Sequence, residues 1–157
     1  MKAATLHEIK NELQKLAPSR VAEVCMRLGK YKKDNKELLT YLLFEADDEN
    51  TFISGVKEEV EKGFSEINSS TLYFAKKSIR KILRSVNRYI RYSGLKQTEV
   101  ELLIHFCKTL KSSGIQYEES TAMVNLYQSQ IKKIRKALSS LHEDIQYDFN
   151  RDLEILL

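Results

Sequence analysis

Apolar residues recur every three or four positions along almost the whole chain, with polar residues between them. This is the spacing of helices that bury one face. The first opens at Thr5 and Glu8, a capping box, and continues through Leu6, Ile9, Leu13 and Leu16. Pro18 ends it and suits the first turn of a second helix, which carries Val21, Val24, Cys25 and Leu28 and is expected to stop at Gly29. A third, with Leu38, Leu39, Tyr41, Leu42, Leu43 and Phe44, is apolar nearly all round and is expected near the centre of the core. Asp47, Asp48 and Glu49 mark the start of a fourth. Its inner face repeats Phe52, Ile53, Val56, Val60, Phe64 and Ile67, and its outer face carries Glu58, Glu59, Glu61 and Glu66. Glu58 and Lys62 are ordered for an i,i+4 ion pair.

Asn68-Ser69-Ser70 is the clearest interruption in the middle of the chain. A fifth helix then runs from about Thr71 to Tyr92 and stops at Gly94. A sixth is expected over Thr98–Ser112, with Thr98 and Glu101 as its capping box and Gly114 closing it. Glu118–Leu157 contains neither Gly nor Pro and could form one helix of nearly forty residues. Ser140-Leu141-His142-Glu143 is itself a capping-box pattern. Helices far beyond ~25 residues usually signal coiled coils or repeats, which favours a break there.

The composition supports this reading. Five Gly and one Pro in 157 residues leave too few turn formers for sandwiches, barrels or loop-built enzymes. The fold class expected is all-α, with seven to eight helices in one domain, 1–157, and a possible subdivision near 68–70. An irregular bundle and a short armadillo- or HEAT-like stack of helix pairs both fit. Ile79–Ser85 resembles Ile134–Ser140, with a shorter echo at Lys108–Ser112, at spacings of 27 and 28 residues. Such an echo suits stacked helix pairs, and it also arises wherever basic amphipathic helices recur.

Charge changes the picture in one place. Residues 1–70 carry 11 Lys/Arg against 13 Asp/Glu, whereas residues 71–157 carry 15 against 9. Much of the excess lies on the fifth helix, where the segment 76–91 holds seven basic residues and no acidic one. At 100° per residue, Leu72, Ala75, Ile79, Ile82, Leu83, Val86 and Ile90 share one face. Lys77, Arg80, Lys81, Arg84, Arg88 and Arg91 fall in a sector on the other side, with Tyr73 among them and Phe74 and Tyr92 at its edge. Like charges at i,i+4 destabilise a helix slightly, so the stripe asks for a reason. Phosphate backbones would supply one, with the aromatics as stacking partners. Pairing with the acidic fourth helix, within the chain or across a dimer, and a plainly solvated face are the other readings.

Chemistry beyond this is sparse. Cys25 and Cys107 sit among apolar neighbours and read as reduced, buried thiols. Glu101 and His105 share a helix face, but the further carboxylates of a di-iron bundle and any His-Glu-x-x-His are missing. No phosphate-binding glycine loop, nucleophile elbow or dinucleotide fingerprint occurs, so neither an enzyme nor a metal or other cofactor is expected. Met1–Lys10 has no signal-peptide apolar core, and Leu38–Phe44 falls far short of the ~20 residues of a membrane span, which points to the cytoplasm.

Two stretches, Arg27–Phe44 and the basic helix Lys77–Tyr92, together resemble a group of small, uncharacterised bacterial all-helical proteins of unknown function. The resemblance extends over most of the chain. It implies a bacterial cytoplasmic source and transfers no residue role. The succession of short helices also resembles armadillo-like stacks, which present surfaces to protein or nucleic-acid partners. The function expected is therefore a non-enzymatic interaction or scaffold module that binds a protein partner or self-associates. The alternative is nucleic-acid binding through the basic face.

Overall fold

A computed structural model describes residues 1–68 and 71–157, and all of the regular secondary structure among them is helical. Of the interruption at Asn68-Ser69-Ser70, the two serines lie outside the described residues. By its contacts the chain divides into two units, Met1–Phe44 and Glu45–Leu157. No helix among the described residues is long and apolar enough to cross a membrane.

The first unit holds α1 (Leu6–Gln14), α2 (Pro18–Tyr31) and α3 (Lys33–Thr40). Thr5 and Glu8 form the anticipated capping box, with the Glu8 N–H donating to Thr5 Oγ1 at 3.3 Å and the Thr5 N–H to Glu8 Oε2 at 2.8 Å. Pro18 sits in the first turn of α2, where its missing N–H would have had no partner. Gly29 is not the stop that the sequence suggests, because α2 runs on to Tyr31. The glycine serves packing instead: a Cβ there would lie 2.9 Å from Leu39 Cδ1 on α3. Lys32, in extended conformation, turns the chain between the two helices, and the Asn35 amide donates to the Leu28 carbonyl at 2.8 Å.

After Thr40 the chain passes into one turn of π-helix, Tyr41–Glu45. Here the expectation of a central third helix fails. Leu38 and Leu39 are half-buried and Tyr41 is buried, but Leu42, Leu43 and Phe44 are exposed. Being apolar on most sides does not bury a segment that no other element covers, and these three side chains are 55–78% exposed.

The second unit contains α4 (Glu49–Ser65), α5 (Leu72–Ser93), α6 (Lys96–Ser112), a 3₁₀ turn (Tyr117–Glu119), α7 (Thr121–Leu138) and α8 (Glu143–Leu156). Asp48 caps α4, accepting from the Thr51 N–H, and Thr71 caps α5, accepting from the Phe74 N–H. Gly94 ends α5 in the left-handed conformation that an L side chain rarely adopts, at φ 69°. The break anticipated near Ser140 is present, with His142 as the capping residue of α8 in place of Ser140.

The central helix is α6. It packs against α4, α5, α7 and α8. Val100, Leu103, Phe106, Cys107 and Leu110 are sealed from solvent, and Phe106 meets Phe64 of α4 with ring centroids 5.7 Å apart. Its start also departs from the sequence reading. α6 begins at Lys96, so Thr98 lies inside its first turn and forms no capping box with Glu101. Thr98 is buried, and its hydroxyl donates to Glu49 Oε1 at the start of α4, as does the Ser93 hydroxyl from the end of α5. The order of contacts fixes direction. Lys57 meets Glu101 and Lys108 meets Asp152, so α4 and α8 both run parallel to α6. Glu49 meets Ser93 and Glu59 meets Tyr89, so α5 runs antiparallel to α4.

Truncating Phe106 should cost about 3–5 kcal/mol in chemical denaturation, because its fully enclosed site leaves a cavity. Phe44→Ala should stay within about 0.5 kcal/mol, since that ring is 78% exposed. Equal losses at the two positions would contradict the placement of the core.

Candidate functional site

The basic face of α5 is built by the helix's own amphipathicity. At ~1.5 Å per residue its 22 residues span roughly 33 Å. Ala75, Ile79, Leu83 and Val86 are buried, with Leu72, Ile82 and Ile90 half-buried beside them. On the other side Lys77, Arg80, Lys81, Arg84 and Arg91 are exposed. Arg88 is half-buried, with its guanidinium carbon 5.5 Å from the centre of the Tyr89 ring, so it belongs to the packed edge of the stripe. Tyr73 and Phe74 are 72% and 52% exposed and meet edge to face, with ring centroids 5.4 Å apart.

Among the described residues the acidic face of α4 forms no ion pair with Lys77, Arg80, Lys81, Arg84 or Arg91. Glu59 accepts a 2.7 Å hydrogen bond from the Tyr89 hydroxyl, Glu61 lies 3.3 Å from His105, and Glu66 is 4.0 Å from Lys62. The Glu58–Lys62 pair suggested by the spacing does not form, as Lys62 turns to Glu66. Burial, together with the Glu59 carboxylate, pushes Tyr89 up to about 12, so its hydroxyl keeps the proton it donates. Among the described residues Lys77, Arg80, Lys81, Arg84 and Arg91 make no ion pair or side-chain hydrogen bond.

A groove of about 560 Å³ runs beside this face, between α5 and α7. It is lined mostly by α5: Leu83 is apolar, Lys76, Lys77, Arg80 and Arg84 are cationic, and Tyr73 and Asn87 complete that side, while Leu126 is the one α7 residue in the lining. The α7 side adds no opposing charge. Thr121–Leu138 contains no Asp or Glu, and its Lys132, Lys133, Arg135 and Lys136 are all exposed. Sequence reasoning missed this groove. Lys76, Arg80, Leu83 and Asn87 stand at i, i+4, i+7 and i+11, so their shared row is legible on a helical wheel. That Leu126 faces them is not.

The other candidates are engaged in packing. Glu101 is ion-paired with Lys57 of α4, and His105 faces Glu61 of the same helix. His7 contacts Asn11, and the His142 ring accepts from the Asp144 N–H. No group of three or more His, Cys, Asp or Glu side chains is arranged to hold a metal among the described residues. Both cysteines are free thiols. Cys107 is buried as expected, and burial pushes it up to about 12, whereas Cys25 is only half-buried.

The chain matches no protein-family model, no curated protein and no solved structure. The site is therefore read from its own geometry.

His105 makes the packing around α6 pH-sensitive. Burial lowers its pKa; the Glu61 carboxylate and a hydrogen bond with the Lys57 backbone oppose this, and the Lys57 and Lys108 charges reinforce it. The unfolded imidazole protonates near its ordinary 6.5 and the folded one only at lower pH, so stability falls as pH drops through 6.5. Thermal melts from pH 8 down to pH 5.5 should show this decline in the wild type and a flatter profile in His105→Gln. An unchanged slope in the variant would assign the decline to another group.

Proposed function

We propose that the protein is a non-enzymatic helical interaction module that holds the phosphate backbone of a nucleic acid against α5. The observation that carries this reading is the row of five exposed cations, Lys77, Arg80, Lys81, Arg84 and Arg91, left without acidic partners among the described residues. Their helix is clamped on its other face by the core, so the backbone positions that carry the charges are set before any ligand arrives. Arginine supplies three of the five cations, and its planar fork matches phosphate oxygens. The exposed rings of Tyr73 and Phe74 beside the lysines favour a nucleic acid over an acidic protein, because bases offer π-faces to stack on. The two free thiols suit a reducing compartment, in keeping with the cytoplasm.

Binding of a short labelled RNA should weaken steeply with salt, the logarithmic slope approaching −3 to −4 for about five contacts. Arg80→Glu with Arg84→Glu should lower affinity at least about tenfold and flatten that slope by about one per lost contact, with helicity by circular dichroism retained. Unchanged affinity in the double variant would overturn the proposal.

A protein partner or a second copy of the chain is the other reading, and the exposed run Leu42-Leu43-Phe44 supports it. Native mass measurement should then find a dimer or heteromer that Leu43→Glu with Phe44→Glu dissociates. A monomeric wild-type protein that retains no partner would remove this reading.

A further inference from the structure

The groove between α5 and α7 has a chemistry that a phosphate backbone alone does not satisfy. Its wall is cationic, but Leu83 and Leu126 give it an apolar floor, and water over that floor is worth displacing only with an apolar guest. Its volume of about 560 Å³ lies within the about 300–1,000 Å³ usual for small-molecule sites. The guest must therefore be flat or compact, apolar on its faces, and attached to negative charge at the wall. A nucleobase joined to its phosphates has this combination. Tyr73 lines the groove, stays 72% exposed and meets Phe74 edge to face, so an exposed aromatic ring stands in the groove as a stacking surface. Asn87, also in the lining, donates its amide N–H to the Leu83 carbonyl at 2.8 Å, which fixes the side chain and leaves its oxygen to accept from a base edge.

A duplex cannot use this site, because its bases are already stacked on both faces. We infer that the α5–α7 groove receives an unpaired nucleobase, with Tyr73 as its stacking platform, so that the nucleic acid held on α5 is single-stranded. This rests on the reading of α5 as a phosphate-binding face. The α7 helix that contributes Leu126 carries no Asp or Glu, so it sets no like charge against a phosphate strand there.

Fluorescence anisotropy with the full chain tests it against three probes: a short mixed-sequence RNA strand, the same sequence as a duplex, and an abasic sugar-phosphate strand of equal length. The single strand should bind roughly 5- to 150-fold more tightly than the abasic strand, the range for stacking one base, and more tightly than the duplex. Tyr73→Ala should remove that advantage without changing affinity for the abasic strand, and Tyr73→Phe should keep it. Tyr73 is exposed, so neither change threatens the fold. Equal binding of the three probes, or a single-strand advantage that survives Tyr73→Ala, would overturn the groove assignment while leaving the phosphate-binding face intact. No binding of any probe at low salt would overturn both. Displacement of the strand by polyglutamate more effectively than by the abasic strand would point to an acidic protein and overturn the nucleic-acid reading.

Discussion

Burial of α6 is the constraint on which the second unit depends. A helix packed by four others keeps its polar side chains at the seams between neighbours, where an opposite charge can meet them. α6 carries Glu101, His105 and Lys108 along one seam. Lys57 and Glu61 of α4 and Asp152 of α8 meet them. At the helix start Thr98 shares the Glu49 carboxylate with Ser93. These contacts set the register of α4 and α8 along α6, and the apolar packing of Phe106, Leu103 and Leu110 supplies the burial.

The basic face follows from that arrangement. Because α5 gives one face to the core, its cations are confined to the other, and like charges at i,i+4 cost a few tenths of a kcal/mol per pair. Burial of Ile79 and Val86, each fully enclosed, outweighs this several times over. The stripe is therefore held at a small energetic cost that a ligand's phosphates would offset. α5 and α7 both pack on α6, and the groove is the gap left between them. A fixed charged wall and an apolar floor thus come from the same packing.

The first unit is built differently. None of α1, α2 or α3 contains a fully buried residue, and the apolar face of α1 is exposed at Leu6 and Ile9. The side chains that read as most hydrophobic in the sequence, Leu42 to Phe44, are exposed at its end. Periodicity measures how apolar a segment is, not how many neighbours surround it. Two segments, Leu38–Phe44 and Val100–Leu110, are apolar on most sides, and only the second is enclosed.

Sequence alone determined the features that are settled within a few residues. The Thr5–Glu8 box, the starts of α4 near Asp47–Glu49 and of α5 near Thr71, the stop at Gly94 and the basic sector of α5 all depend on side chains and backbone groups within a turn or two of one another. Only the tertiary structure decided which helix is central, that Thr98 and Glu101 turn to α4 in place of capping their own helix, that Arg88 lies over Tyr89, and that Leu126 meets Leu83 across a groove. The Lys57–Glu101 pair joins residues 44 apart, and no local spacing encodes such a meeting. It arises because α6, once buried, accepts only neighbours whose side chains answer its own polar seam.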